Sequence, residues 1–286
     1  MAIVKNGRLE YEMSMIDVTY PDIGKVTYRG SYPLIVSNQW TPPTPPTPVM
    51  ADCLTFTGKT GDFTLKATNK AWDGTLEWST DHETWTTLTS TEEMQSVDKK
   101  LYLRGKGNTK FVVGRNTVQW VLSEKADCGG NIQTLLDWEN PPMNITQNSC
   151  YTSMFSGCTN LTTAPELPAT TLSENCYGGM FSGCTNLTTA PELPATTLER
   201  NCYSFMFQGC TNLTTAPELP ATTLAQLSYF YMFKDCTKLK VNTTSGTKIF
   251  TCPVDIPDLA VNSMFGNTGG TFTSTPVAGE TYYYTM

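Results

Sequence analysis

Apolar and polar residues alternate in short runs over residues 50–127: Leu54 and Phe56, Phe63 and Leu65, Leu76 and Trp78, Leu101 and Leu103, Phe111 and Val113, Val118 and Trp120. Period-two alternation, broken by turn signals at Asp73-Gly74, Gly105-Lys106-Gly107-Asn108 and Gly114, predicts antiparallel strands with one buried face. A small antiparallel β-sandwich is the expected result. From residue 150 the pattern changes. The run Cys150-Tyr151-x-x-Met154-Phe155-x-Gly157-Cys158-Thr159-Asn160-Leu161, followed by Ala164-Pro165-Glu166-Leu167-Pro168-Ala169, restarts at Cys176 and at Cys202 with a period of 26 residues. Met154, Met180, Met206 and Met232 keep this phase, as do Cys158, Cys184, Cys210 and Cys236, while the fourth copy drifts at Ser228, Lys238 and Lys240. Leu172, Cys176, Met180 and Cys184 lie four apart with Tyr177 and Phe181 beside them, which predicts a short helix with one inward stripe. Leu187, Ala190 and Leu193, punctuated by Pro191 and Pro194, predict a brief strand. One such copy cannot bury its own apolar side, so the expectation for residues 150–240 is an α/β solenoid of stacked 26-residue repeats.

The remaining segments are organised around these two blocks. Residues 1–40 read as an extended arm whose aromatic residues Tyr11, Tyr20, Tyr28, Tyr32 and Trp40 are candidate anchors to a partner protein, docking as an added strand. Residues 41–49 carry Thr41-Pro42-Pro43-Thr44-Pro45-Pro46-Thr47-Pro48, a stiff polyproline II spacer. Residues 128–149 follow Asp127-Cys128-Gly129-Gly130, with Asn131 placed to cap a short helix through Ile132, Leu135, Leu136 and Trp138, and serve as the solenoid's N-terminal cap. Residues 241–286 form its C-terminal cap. The expected fold class is therefore multidomain: arm, spacer, β-sandwich, then α/β leucine-rich-repeat solenoid.

Composition narrows the functions open to this layout. A charged fraction of only 16%, with 21 Gly and 18 Pro, suits turn-rich β or solenoid structure. The net charge of −7 and pI near 4.8, with scattered Lys and Arg, disfavour nucleic acid as a partner. No apolar run reaches membrane-spanning length and the N-terminus has no secretory pattern, so membrane insertion is not expected and the chain as given should stay where it is made. Eight of the ten cysteines fall between residues 150 and 252, seven of them in repeat phase. They read as buried thiols rather than disulfides or zinc ligands, because the recurring spacing is eight residues and His82 is the one histidine,.

Met-Phe-x-Gly-Cys-Thr-x-Leu followed by Ala-Pro-x-Leu-Pro-Ala resembles the BspA-type leucine-rich repeats of gut and oral bacteria and their phages, over about a third of the chain. Residues 50–140, with Asn69-Lys-Ala-Trp-Asp-Gly-Thr-Leu-Glu-Trp-Ser-Thr-Asp81, resemble the β-domain that precedes such repeats in gut phage and Bacteroidales proteins. The resemblance implies an interaction module for adhesion to cells, matrix or glycans, or for decorating a virion, and implies no reaction.

Three sets of side chains are candidates for contact. Glu166, Glu192 and Glu218 recur once per copy and could line up to hold Ca²⁺, although a solvated acidic edge is the favoured reading and no metal or other cofactor is expected. The Thr pairs at 162–163, 188–189 and 214–215 form polar ladders. Phe205, Tyr229 and Tyr231 are the candidates for an exposed aromatic patch that stacks on sugars. No catalytic residues are assigned: His82 sits between Asp81 and Glu83 in a turn, and neither a phosphate loop nor a nucleophile elbow is present,. The expected function is a non-enzymatic virion head or tail fibre or decoration protein, attached to capsid or tail proteins by its arm. It would display its repeats to a host-surface glycan or protein, and a homo-oligomer, trimer favoured, is expected. A bacterial cell-surface adhesin is the second reading. A polysaccharide depolymerase is the third, since glycosidases need only two carboxylates.

Overall fold

A computed structural model describes residues 53–113 and 116–286, preceded by four short strands, Ala2–Lys5, Arg8–Tyr11, Asp17–Tyr20 and Gly24–Thr27. The chain divides into two compact units, Met1–Thr47 and Pro48–Met286. In the first, the four strands pair as two antiparallel hairpins, Ala2 opposite Tyr11 and Asp17 opposite Thr27. Of the candidate anchors, Tyr11 and Tyr20 end two of these strands. Tyr28, Tyr32, Trp40 and the Pro-Thr spacer lie outside the described residues.

The second unit contains the expected boundaries at residues 127 and 149, and one apolar cluster runs through it from Leu54 to Tyr284. Its N-terminal part is a six-stranded sheet in the order Leu161–Thr163, Ala126–Gly129, Leu54–Gly58, Lys100–Lys106, Thr75–Ser79, Thr86–Thr87. A three-stranded sheet, Trp120–Leu122, Thr64–Ala67, Glu93–Gln95, completes it. Strand alternation is physical: Leu54 and Phe56, like Leu101 and Leu103, point inward and are fully buried. The pairs within these sheets are antiparallel except that of Ala126–Gly129 with Leu161–Thr163, which is parallel and carries the large sheet into the first repeat copy. Residues Ile132–Leu135 form a 3₁₀ turn capped by the Asn131 side chain, which accepts from the Gln133 N–H. Gly105 lets that turn dock, since a Cβ there would stand 1.9 Å from the Leu135 carbonyl oxygen.

The expected α/β leucine-rich-repeat solenoid is not formed. Among the described residues no α-helix is present. The unit is nearly all β with several sheets, and the segment read as a helix in each copy is a series of turns. The four-residue spacing has a different origin from helical periodicity. Ser149, Ser153 and Gly157 have positive φ, as do Asn175, Gly179 and Gly183, then Asn201, Phe205 and Gly209. Every fourth residue is thus left-handed, and each such step resets the chain. On an α-helix, exact fours would drift by about 40° per step and smear the stripe.

The backbone bonds show why turns win over helix. Thr152, Met154, Ser156 and Cys158 donate locally to Ser149, Tyr151, Ser153 and Phe155. The intervening N–H groups of Tyr151, Ser153, Phe155 and Gly157 donate outward, to the carbonyls of Cys176, Gly178, Met180 and Ser182 in the next copy. Half of the donors therefore close turns and half join copies, so no buried amide is left unpaired. The same alternation links the second copy to the third and the third to the fourth. The predicted strand of each copy is formed at Leu161–Thr163 and Lys240–Asn242, whereas the second and third copies make only isolated bridges such as Thr189 to Thr215. In the first three copies the strand position lies ahead of the prolines, Pro165 and Pro168 in the first and prolines 191, 194, 217 and 220 in the next two, which keep it short.

Side chains complete the stack. Tyr151, Tyr177, Tyr203 and Tyr229 lie ring over ring at 5.7, 5.9 and 6.0 Å. Phe155, Phe181, Phe207 and Phe233 do so at 5.6 Å or less. The cysteines from Cys128 to Cys252 carry free, buried thiols. Those of Cys184, Cys210 and Cys236 donate to the carbonyls of Phe155, Phe181 and Phe207 at 3.0–3.1 Å. Phe111 stacks on Tyr151 at one end. At the other, a fifth copy missed by the 26-residue phase continues the order: Tyr229, Tyr231 and Phe233 donate to Ala260, Asn262 and Met264, and Phe265 stacks on Phe233 at 5.9 Å. A four-stranded sheet, Thr247–Thr251, Thr281–Thr285, Lys240–Asn242, Gly269–Gly270, packs alongside.

Candidate functional site: a groove across the copies

Between the buried Cys-Tyr pair (Ser228-Tyr229 in the fourth copy) and the Met-Phe pair lies a two-residue step: Thr152-Ser153, Gly178-Gly179, Ser204-Phe205 and Phe230-Tyr231. The second residue of each step is left-handed, with φ of 57°, 62°, 59° and 58°. Because copies stack in register, these steps form rows on the surface, flanked by Asn175 and Asn201 on one side and by Ser156, Ser182 and Gln208 on the other. The first three copies enclose a groove of about 390 Å³ along these rows. Gly178 and Gly179 add no side chain at its middle step, which leaves Asn175 and Ser182 as that copy's contribution, and no charged residue lines the groove.

The polar groups of the groove fall into two kinds. Thr152 donates its hydroxyl to the Asn175 carbonyl at 2.6 Å, and the Asn175 amide bonds Ser149 and Thr152, so these hold the wall. Among the described residues, the side chains of Ser156, Ser182, Asn201, Ser204 and Gln208 make no hydrogen bond with one another or with the backbone, although Ser204 is only 4% exposed. Lining an open groove, these groups can meet water, which a ligand's polar groups can replace. Such groups are poised to bond whatever enters the groove.

In the fourth copy the same rows carry Leu227, Phe230, Tyr231 and Lys234. Phe230 and Tyr231 stack at 4.0 Å, and Phe205 meets both edge-on at 5.2 and 5.5 Å. Lys234 reaches over the Tyr231 ring and pairs with Asp235 at 2.9 Å. The polar trough thus ends on a half-exposed aromatic wall. Phe205 and Tyr231 are bulky residues at positive φ, a conformation that costs about 1–3 kcal/mol, where the equivalent residues are Ser153, Gly179 and Ser263.

The structure sorts the sequence-derived candidates. Phe205 and Tyr231 share the aromatic wall, but Tyr229 does not. It is 1% exposed and forms the fourth rung of the tyrosine stack, because it is in phase with Tyr151, Tyr177 and Tyr203. Its neighbour Phe230, partly buried like Tyr231, takes the place on the wall. Glu166, Glu192 and Glu218 are exposed, and Glu218 pairs with Lys248 at 3.0 Å. Among the described residues no group of three or more His, Cys, Asp or Glu side chains is placed to hold a metal ion. The Thr ladders bond copy to copy, as from the Thr214 N–H to the Thr188 carbonyl. Asn186 and Asn212 donate to the carbonyls of Thr159 and Thr185 in the preceding copies, which accounts for the recurrent asparagine. The groove residues Asn201, Ser204 and Gln208 were not singled out from sequence. Ser204 carries a signal because Tyr-x-x-Met is a stretch in which the copies disagree, and Gln208 because the first two copies have serine there, whereas Asn201 repeats Asn175.

Two further clusters serve other ends. The Arg104 guanidinium lies between the Trp85 and Trp138 rings at 4.0 and 4.3 Å and pairs with Glu77 at 2.7 Å. Both of its faces and its charge are committed, stapling the segment after the 3₁₀ turn to the sheet. His82 Nε2 stands 2.9 Å from Cys53 Sγ. Burial first, and the Arg104 charge second, push the imidazole below its ordinary value. Its neighbour Asp81 is occupied as a turn cap, accepting from Glu83, Thr84 and Ser79, and these bonds hold its carboxyl well below the usual range. Among the described residues no hydrogen bond joins the Asp81 carboxylate to the His82 ring; its Oδ1 is given to the turn.

Comparison with protein-family models, with characterised proteins and with solved structures finds no match to this chain.

Proposed function

We propose that the chain is a non-enzymatic structural protein of a virion, a head or tail fibre or decoration. In this reading residues 1–40 attach it to a capsid or tail protein, and the unit Pro48–Met286 is presented to a host surface. The observation that carries the reading is the groove: side chains with unspent hydrogen bonds that end on an aromatic wall, with Ser204, Phe205 and Gln208 at positions where the third copy departs from the first two. Uniform rungs provide stiffness, and the differing positions provide a contact surface. The free, buried thiols from Cys128 to Cys252 suit a chain that folds in a reducing compartment, as virion parts do. The sequence resemblance to repeats of gut phages supports the same assignment.

Deleting residues 1–40 is expected to abolish incorporation into virions while leaving the second unit folded by circular dichroism. The purified second unit is expected to compete with virions for adsorption to host cells. Normal incorporation of the deletion variant, or recovery of the protein in the bacterial envelope rather than in purified particles, would overturn the proposal.

A further inference from the structure

We infer that the groove binds a neutral, linear polysaccharide laid along the stacking direction, with successive sugar units facing successive copies and one ring against the Phe205–Phe230–Tyr231 wall. This rests on the reading of the chain as an attachment protein and adds the class of ligand. Four observations lead to it. The lining of the trough holds no charged side chain, and Lys234 at its aromatic end is already paired with Asp235, so a charged ligand would leave water with no unpaired counter-ion to meet it. The uncommitted groups are hydroxyls and carboxamides, which donate and accept at once, matching vicinal sugar hydroxyls. Ser204 is 96% buried, yet its hydroxyl lines the groove bonded to no described residue, so it can exchange water for a ligand oxygen. Finally, the rungs repeat at 5.4–6.0 Å, close to the advance of one pyranose unit in an extended chain. A ligand with that repeat can keep register with the copies, whereas a peptide strand advances only about 3.3 Å per residue. Gly179, where a Cβ would meet nothing nearer than 3.4 Å, clears the central position for a ring, and Phe205, held in its strained conformation, offers an aromatic surface at the end.

The test is titration calorimetry of the full chain with xylohexaose, mannohexaose and maltohexaose, and with their shorter homologues. At least one series is expected to bind, with affinity rising with length up to the three or four sugars that the groove spans. Phe205→Gly keeps the left-handed backbone without strain and is expected to weaken binding by about tenfold. Gly179→Asn, also compatible with that backbone, fills the trough and is expected to abolish binding. Failure of all three series, binding that ignores both substitutions, or preference for sialylated or sulfated chains would overturn the inference. Adsorption of the second unit to host cells that survives periodate oxidation of their glycans would also overturn it, pointing to a protein receptor while leaving the attachment role intact.

Discussion

The tyrosine stack contains a comparison within a single set of rungs. Tyr151 donates its hydroxyl to Gln133 Oε1 at 2.7 Å, whereas the hydroxyls of Tyr177 and Tyr203 are buried with no hydrogen-bond partner. The rings themselves are equivalent, buried and nearly parallel to their neighbours. Replacing each by phenylalanine removes one oxygen and leaves the stacking in place. At Tyr151 the loss is a net hydrogen bond, about 1 kcal/mol, plus desolvation of the abandoned Gln133 carbonyl oxygen, for a total of about 1–3 kcal/mol. Gln133 is already short of a partner at Nε2. At Tyr177 and Tyr203 the substitution instead removes an unsatisfied buried hydroxyl, so stability should rise, by up to about 1–3 kcal/mol. For a unit of this size each kcal/mol moves the Tm by roughly 2–4 °C. Guanidinium unfolding followed by circular dichroism should therefore shift the midpoint down for Tyr151→Phe and up for Tyr177→Phe and Tyr203→Phe, with an unchanged denaturant slope. If all three variants lose stability alike, the hydroxyls of the inner rungs are satisfied and the reasoning fails.

Two other outcomes follow from the same core. Phe207, stacked at 5.6 and 5.4 Å on Phe181 and Phe233 and fully buried, should cost about 3–5 kcal/mol on truncation to alanine, measured by the same unfolding curves. Burial pushes Cys210 up to about 12 and Cys158 up to about 11. A raised folded value means that their contribution to stability is intact below the unfolded thiol value of about 8.5 and declines as pH rises above it, by about 1.4 kcal/mol per pH unit for each thiol. Stability measured from pH 7 to 11 should fall accordingly. At pH 8 a thiol reagent should leave the cysteines from Cys128 to Cys236 unmodified until denaturant is added.

What the sequence disclosed, and what it hid, divides along physical lines. Strand alternation at Leu54, Phe56, Leu101 and Leu103 was readable because burial on one face imposes a period of two that nothing else imitates. Repeat phase was equally readable from Met154, Met180, Met206 and Met232. The local structure of the copies was not, since a buried residue every four positions is compatible with a helix until the drift over several turns is considered. Left-handed residues gave little warning: glycine stands at 157, 183 and 209, but Ser149, Ser153 and Leu227 occupy the same conformation. The fifth copy was hidden because Met264 follows Met232 by 32 residues rather than 26, and Thr268 stands where the other copies have cysteine. At the site, Phe205 and Tyr231 were found as departures from small residues. Tyr229 was misplaced by the reverse error, a conserved phase taken for a departure. The hydroxyl and amide groups of the trough carry no pattern of their own and become a site only when stacking brings three copies side by side.

The division of backbone donors between turns and neighbouring copies bears on how such a gene can change. Every junction includes the same run of at least four alternating amide-to-carbonyl bonds whatever the intervening side chains, so any copy presents a backbone mating surface that any other accepts. Nearly identical coding segments recombine readily. Loss or gain of 26 codons would shorten or lengthen the molecule by one rung of about 6 Å while the two ends, the sheet before Cys150 and the strands after Lys240, meet the same surfaces as before. The length of the trough is then a heritable quantity that can vary in whole steps among descendants, without a single new contact having to be invented.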